Sequence, residues 1–511
     1  MSLRFNTTPI RRAVFLALVL GLVAVLVAWL GTSQDRASAA TASSTPNIIF
    51  IQTDDQTVCS VLDLELCPKK SKQVMPRTVD LLANQGTTFA TYFATHPRCC
   101  PSRASYLTGM YSHNHGILSN RHGYGRFNFH ESALPVWLKD AGYNTAHVGK
   151  YMNGYFGHFA DNNPVPPGWD EWYATVDDGT YHMFNYNLMV QSPFPVRALD
   201  GEGLTPASPT AKRFRIGNNE RDYQTDVETS IAVDYINRQA AESAPFFLAV
   251  NPLAPHHEHI GFEKPRNPRP APRDEGRFKD AKIPKGKSFD EADVSDKPGD
   301  IQKKPRLDKK AIDFITLRYR SRLESLLAVD DMVQRIYTAL EASGQLENTV
   351  IIFTSDNGFM SGEHRLKSGK IALYDESVRQ PLIIRGPGFP ANARRDQLTG
   401  NIDLAPTIAD LANANPLLTV DGISLLDYAA NPALDNGRAI LLENGVDGGR
   451  AVRDGRYTYV KNKTGKELYD NIKDPFEVES LHDAKPFRGV VRDLNKRLQA
   501  LDKCQGASCL Q

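Results

Sequence analysis

Short apolar runs, each closed by a polar cluster, set the rhythm of the chain. Asn47-Ile48-Ile49-Phe50-Ile51 leads into Thr53-Asp54-Asp55-Gln56, and Thr145 to Val148 leads into Gly149-Lys150. Phe246-Phe247-Leu248-Ala249-Val250 opens onto Ala254-Pro255-His256-His257, and Val350-Ile351-Ile352-Phe353 onto Ser355-Asp356-Asn357-Gly358. A further run, Pro381 to Ile384, meets the turn Gly386-Pro387-Gly388. Runs this short and this apolar predict strands buried on both faces of a parallel sheet. Between them lie helical patterns over Met75 to Asn84, Leu134 to Ala141 and Asp222 to Ala241. The longest carries Leu326, Val329, Val333, Ile336 and Leu340 at steps of three and four, and Gly344 stops it. Alternation of this kind predicts an α/β fold with a large, mainly parallel sheet flanked by helices. Open α/β sheets bind ligands at the carboxyl ends of their strands. Asp54, Asp55, Lys150, His256, Asp356 and Asn357 all fall at such ends, so they are expected to share one cleft.

Other stretches lack these periods. Residues 152–220, rich in Gly, Asn, Tyr and Pro, read as long loops. Residues 263–310, rich in Pro and Lys, read as a surface excursion. From about Arg438 the pattern turns to short strands, Ala439-Ile440-Leu441-Leu442 and Tyr457-Thr458-Tyr459-Val460, with a helix near Val491 to Leu501. This predicts a smaller C-terminal antiparallel sheet plus helix. The organisation expected is a catalytic α/β domain over 47–415 and a C-terminal subdomain over 416–511.

Composition adds a class and an address. Apolar content of 41% over 511 residues supports a sizeable core. A net charge of +1 argues against a nucleic-acid partner. Arg4, Arg11 and Arg12 precede an apolar run from Ala13 to Leu30, and Ala37-Ser38-Ala39 offers small residues for cleavage. Residues 1–39 therefore read as a signal peptide or an uncleaved anchor, with 40–46 a small-residue linker. Membrane contact is expected only through that segment, and the protein is expected to be secreted or otherwise extracytoplasmic. Six cysteines suit an exported chain. Cys59 with Cys67 and Cys504 with Cys509 are spaced to close small loops, which leaves Cys99 and Cys100 over.

The leftover thiol at Cys99 begins Cys99-Cys100-Pro101-Ser102-Arg103-Ala104-Ser105-Tyr106-Leu107-Thr108-Gly109. A helix starting near Ser102, with proline tolerated at its first turn and Gly109 as its stop, would set Cys99 just ahead of a positive dipole end. Arg103 adds a fixed cation one turn away. The stretch resembles, at every defined position, the signature of the type I sulfatases of the alkaline phosphatase superfamily. The resemblance implies that Cys99 is oxidised to formylglycine by a formylglycine-generating enzyme, and that the hydrated aldehyde is the nucleophile. It also implies an alkaline-phosphatase-like sheet.

Asp54, Asp55, Asp356 and Asn357 form an all-oxygen set that suits a hard cation, calcium or magnesium. Taken singly, each pair reads more readily as a turn or a cap than as a ligand pair. The resemblance makes them, with Cys99, the sulfatase site for one Ca2+. It further implies that Arg103 and Lys150 hold the formylglycine, that Lys370 holds the sulfate, and that Asp356 assists deprotonation of the nucleophile. His256 would protonate the leaving alcohol. His257 stands beside His256 as an alternative acid, and Lys367 beside Lys370 as an alternative lysine. His113, His115 and His364 are further candidate contacts. One departure matters: many arylsulfatases carry histidine where Met152 stands. The run Gly149-Lys150-Tyr151-Met152-Asn153-Gly154-Tyr155 instead resembles the N-acetylglucosamine-6-sulfatase branch, with Asn153 in reach of the ester. Cys100-Pro101-Ser102-Arg103-Ala104-Ser105, His113-Asn114-His115 and Pro167-Gly168-Trp169 share that likeness. The expected substrate is a sulfated sugar or aryl sulfate. The rival readings are a phosphonate monoester or phosphodiester hydrolase of the same superfamily and a sulfated-glycan binder without chemistry.

Overall fold

Ten strands form the central sheet of the protein. A computed structural model describes residues 45–121, 123–155, 165–197, 203–205, 208–260, 264–445 and 448–510. The leader or anchor expected over 1–39 and most of the linker lie outside the described residues. Among the described residues no helix is long and apolar enough to cross a membrane. In chain order the sheet is built from β1 (Asn47–Thr53), β2 (Thr87–Phe89), β3 (Asn144–Gly149), β4 (Glu171–Thr175), β5 (Asn187–Ser192), β6 (Ser208–Arg215), β7 (Phe246–Asn251), β8 (Thr349–Ser355), β9 (Leu382–Arg385) and β10 (Ala393–Arg395). Their spatial order is β10-β2-β9-β8-β1-β7-β3-β4-β5-β6. The middle of the sheet, β8-β1-β7-β3-β4, is parallel, and β9 and β5 pair antiparallel at its flanks. The sheet is therefore mixed, with its parallel part at the centre as the apolar runs require.

The strands alternate their side chains between two cores. Ile49 and Ile51 of β1 face one side, where α2 (Gln224–Gln239) supplies Val227, Ile231 and Ile236 and α3 (Lys309–Ala342) supplies Leu326, Val329, Val333 and Ile336. Ile48 and Phe50 face the other, against Tyr106 and Leu107 of α1 (Cys99–Thr108), Trp137, Leu138 and Ile408. At about 25 cal/mol per Å2 of apolar area buried, these two layers supply the main driving force for the fold. The C-terminal sheet, β11 (Ile440–Asn444), β12 (Gly449–Arg453), β13 (Tyr457–Lys461) and β14 (Lys466–Asp470), is a four-stranded antiparallel meander. One face packs Leu441, Val452 and Leu468 on Leu494, Leu498 and Leu501 of α4 (Arg488–Leu501). Its other face packs Ile440, Leu442 and Val460 on Phe93, Val378 and Leu398, which fixes it to the large layer. Disulfides join Cys59 to Cys67 and Cys504 to Cys509.

Two expectations are corrected and a third is refined. Residues 152–220 are not all loop: they supply β4, β5 and β6 and extend the sheet by three strands. Glu171-Trp172-Tyr173-Ala174-Thr175 is buried throughout, so polar and aromatic residues alike face protein and no alternation marks the strand. The described part of 263–310 is mostly irregular, with a short helix at Gly299–Gln302, yet packed, with Ile283, Phe289 and Leu307 on Ala311 and Ile315 of α3. The helix expected over Met75 to Asn84 is one α-turn, Pro76–Thr78, followed by a wider π-turn, Val79–Ala83.

Candidate active site

Cys99 is the first residue of α1, not a residue ahead of it. Arg98 is extended at φ −145° and the helix begins at once, three residues before the expected start, with every residue of it buried. Pro101 sits in the first turn, where its missing N–H leaves no bond unmade. Gly109, at φ 70°, closes the helix in the left-handed region, as expected. The Cys99 side chain therefore stands at the positive end of α1. Around it the carboxyl ends of the parallel strands converge. Asp54 and Asp55 leave β1, and Asp356 and Asn357 leave β8. Lys150 leaves β3 through Gly149, whose φ is 96°. A Cβ at Gly149 would lie 2.4 Å from the Asn251 carbonyl oxygen. Glycine thus allows the approach in which the Lys150 N–H donates to that carbonyl at 2.9 Å.

Asp54, Asp55, Cys99 and His256 each place a ligand atom within 4.8 Å of the others, and all four are buried. The Lys150 ammonium donates to Asp54 Oδ2 and the Lys370 ammonium to Asp55 Oδ1. Lys370 Nζ also lies 2.8 Å from Cys99 Sγ, and Asp54 Oδ1 lies 3.4 Å from the same sulfur. Arg103 Nε donates to Asp356 Oδ2 at 3.0 Å and Nη1 to the Lys150 carbonyl at 2.8 Å. Asp356 Oδ1 accepts from the Asp55 N–H at 3.1 Å, and Asn357 Nδ2 donates to Asp55 Oδ1 at 2.6 Å. His256 Nδ1 donates to the His257 carbonyl at 2.7 Å, which leaves Nε2, 3.5 Å from Asp55 Oδ2, facing the cluster.

The residues fit a hard cation. Asp55 Oδ2 and Asn357 Oδ1 are buried acceptors with no hydrogen-bond partner among the described residues, a costly state that a bound cation relieves. Asp54, Asp55 and Asn357 would hold it; Asp356 completes the oxygen set but is turned here toward Arg103 and the Asp55 amide. Burial works to raise the Asp54 carboxyl, but Lys150, His256, Lys370 and Arg103 outweigh it and hold Asp54 well below the ordinary range. Burial and the Asp54 charge push Asp356 up to about 6. Burial, and then Asp54, push the Cys99 thiol up to about 12. A thiol so held is not a thiolate at neutral pH and is a poor nucleophile. Burial lowers His256 well below its usual value, and Lys370 and Lys150 add to that against the Asp54 charge.

Other expected contacts lie elsewhere. His113 bridges Glu443 and the Cys504 carbonyl and so fastens the C-terminal layer, whereas His115 meets Ser105 of α1 and the Ile117 amide. His364 is buried on Tyr374 and its Nδ1 lies 2.7 Å from Glu291 Oε2, which braces the loop that carries Lys370. Lys367 is exposed, and Lys370 is the lysine that reaches Cys99. His257 Nε2 lies 3.2 Å from His259 Nε2, and its ring stacks on that of His256 at 4.1 Å. Asn153 Nδ2 donates to the Tyr181 hydroxyl at 2.5 Å.

Two residues join the site that sequence reasoning missed. The Tyr181 ring covers Lys150 Nζ at 4.9 Å and lies 5.1 Å from the His256 ring. Arg322 of α3 donates to the backbone carbonyls of Asp55 and Pro255, tying together the two loops that carry Asp54-Asp55 and His256. Arg322 was legible: with Ile315, Arg318 and Leu326 it falls on the buried stripe of α3 at steps of three and four, where an arginine needs a buried partner. Tyr181 gave no such signal, being one of many tyrosines in an aperiodic stretch.

An oxygen-ligand set for a hard cation, three fixed cations and an imidazole around one helix-terminal side chain define a hydrolase of anionic esters. Residues 46–414 match the sulfatase family model, and residues 362–504 match that of the N-sulphoglucosamine sulphohydrolase C-terminal region. The chain belongs to the sulfatase family. It is 31% identical to the human N-acetylglucosamine-6-sulfatase over 442 residues, covering 84% of this chain and 73% of that protein. It is 32% identical to an arylsulfatase of Volvox carteri, covering 92% of this chain and 77% of that one. An extracellular sulfatase homologue of Caenorhabditis elegans is 33% identical over 82% of this chain, which spans only 55% of that longer protein. In fold, the chain is similar to a protein solved with its substrate D-glucosamine-2-N,6-O-disulfate, with a TM-score of 0.69 at 23% identity over 90% of this chain and 98% of that one. A phosphonate monoester hydrolase of Agrobacterium radiobacter shares the fold at a TM-score of 0.60 and 22% identity, over 89% of this chain and 95% of that one.

Proposed function

We propose that the protein is an exported sulfatase that cleaves sulfate monoesters of sugars, of the N-acetylglucosamine-6-sulfate type, with Cys99 in its formylglycine form. The observation that carries this is the buried convergence of Asp54, Asp55, Cys99 and His256 under Lys150, Lys370 and Arg103. The likeness to N-acetylglucosamine-6-sulfatases over most of the chain supports the substrate class.

The oxidised side chain at position 99 would supply the attacking oxygen that a buried thiol cannot, and a calcium ion held by Asp54, Asp55, Asp356 and Asn357 would supply a Lewis acid. The chain's own residues do the rest. Lys150 and Lys370 bring two ammonium groups to the sulfate position, and Arg103 adds a guanidinium kept charged by Asp356 and Asp54. Fixed charges in a buried site stabilise a transition state without reorganisation. Asp356, which pairs with the Arg103 guanidinium and, among the described residues, with no ammonium, is the carboxylate that would take a proton from the nucleophile. His256 Nδ1 donates to the His257 carbonyl, so Nε2 is the nitrogen that faces the departing alcohol oxygen, and it would deliver a proton there as the imidazolium, once it has taken one up. Turnover of N-acetylglucosamine-6-sulfate well above that of a phosphonate monoester, with release of inorganic sulfate, is the expected outcome. The reverse ratio would move the assignment to the phosphonate hydrolases, and binding of sulfated glycans without release of sulfate would exclude an enzyme.

A further inference from the structure

A groove of about 610 Å3 runs beside the site, and the chemistry above makes no use of it. Arg215 closes it at the end of β6, Arg266 and Arg269 enter from the segment after β7, and His182, His259 and Glu258 complete the wall. Its volume lies within the range of small-molecule sites, roughly 300–1,000 Å3. Among the described residues that line it, Glu258 is the only acid, and it is already engaged. Its Oε1 accepts from the Met183 N–H at 2.8 Å and its Oε2 lies 3.2 Å from Arg269 Nε. Arg215 and Arg266 are exposed and make no ion pair among the described residues. Three guanidinium groups against one carboxylate concentrate positive charge here, in a chain whose net charge is only +1.

The groove adjoins the site directly. The His259 ring in its wall stacks on Tyr181 at 4.4 Å with the planes 9° apart, and Tyr181 is the ring that covers Lys150. The His259 and His256 rings lie 6.1 Å apart. β6 is the open edge of the large sheet, and exposed Lys212 and Arg213 there have the usual role of blocking edge pairing. That role does not account for Arg266 and Arg269, which come from another segment and turn to the same hollow. Arg269 is held there over the Phe184 ring at 5.3 Å.

We infer that this groove is a second anion site, which binds a further sulfate or carboxylate of the same glycan whose ester lies at Cys99. Guanidinium forks match such groups in two-point hydrogen bonds. The inference rests on the proposed sulfatase reading and narrows it: the preferred substrate is a polyanionic oligosaccharide, not a lone sulfated sugar. The test compares the native protein with the double variant Arg215→Ala/Arg266→Ala on two probes, 4-nitrocatechol sulfate and a heparin-derived hexasaccharide. On the small ester the variant is expected to keep its kcat/KM within about twofold, because neither arginine touches the reacting group. On the hexasaccharide kcat/KM should fall about tenfold or more through KM, as the loss of one or two charge-assisted hydrogen bonds requires. The KM of the native protein should also rise with added NaCl more steeply than that of the variant. Equal losses on both probes, or none on either, would overturn the inference. If the native protein turns over no ester, the functional reading fails separately, and direct binding of the hexasaccharide decides the groove. Weaker binding by the double variant keeps the second site, and unchanged binding removes it. Tighter binding of a DNA oligomer of equal charge than of the hexasaccharide would also overturn the glycan assignment.

Discussion

Replacing Arg322 by methionine tests whether the site is held from behind as the structure indicates. Arg322 lies on α3, is almost wholly buried, and donates to the carbonyls of Asp55 and Pro255 with its guanidinium over the Phe359 ring at 4.6 Å. Burial lowers its pKa to about 10, against the favourable charge of Asp55, so the cation is kept at a desolvation cost. Methionine fills similar volume and removes that cost, but it leaves two buried carbonyls without donors, at roughly 1–3 kcal/mol each. The net loss expected is about 2–4 kcal/mol. At roughly 2 cal/mol/K per residue the unfolding entropy of a unit this long is about 1 kcal/mol/K, so Tm should drop by about 2–4 °C. The catalytic effect should exceed the effect on stability. The loops bearing Asp55 and His256 lose their common tie, and a shift of about 1 Å in a reacting group can cost a hundredfold in rate. The assay is kcat on a soluble sulfate ester beside a melting curve: kcat should fall about 10- to 100-fold with little change in KM, and Arg322→Lys should recover part of it. Full turnover with an unchanged Tm in Arg322→Met would refute the argument.

Lys370→Met should lower kcat about 100- to 1,000-fold, as loss of a charge aimed at the reacting group does, whereas Lys367→Met should leave it intact. Equal effects of the two would contradict the geometry. Glu467 accepts from the Tyr374 and Tyr469 hydroxyls at 2.7 and 2.5 Å, and burial raises it from 4.5 to about 7 against those bonds. The folded protein then holds a proton that the unfolded chain has lost. The stabilisation is fully present below pH 4.5 and disappears as pH rises through 7. Glu467→Gln keeps the acceptor and removes this titration, so its Tm relative to the native protein should rise by about 3 °C between pH 4.5 and 8; a flat difference would refute the burial argument. Dialysis against EDTA should abolish turnover and lower Tm, with calcium restoring both. At a hundredfold excess over Kd a bound ion is worth about 2.7 kcal/mol, and unimpaired turnover after chelation would exclude the cation site.

What the sequence showed plainly was whatever the hydrophobic effect writes in short range. Ile48 to Ile51, Phe246 to Val250 and Val350 to Phe353 are uniformly apolar because both faces of a central parallel strand are covered, and the polar residues that follow them meet because parallel strands share one carboxyl end. Asp54, His256 and Asp356 were therefore legible as neighbours although they lie hundreds of residues apart. β4, β5 and β6 were not. Their order comes from pairing with β3 and with each other, and Trp172, Tyr173 and Thr175 carry no period of two. The misplacement of His113, His115 and His364 has a related cause. Closeness in sequence to Arg103 or Lys370 says nothing about direction, and each ring turns to a partner, Glu443, Ser105 or Glu291, that sequence spacing does not reveal.

The central claim concerns the side chain at position 99, so its chemical state in protein purified from the natural host is the most direct measurement. Trypsin cuts at Arg98 and Arg103 and leaves too short a peptide, so a protease of other specificity and mass spectrometry are required. The account predicts an aldehyde in place of the thiol, with turnover proportional to the fraction converted. Fully active protein with an intact Cys99 thiol would contradict it.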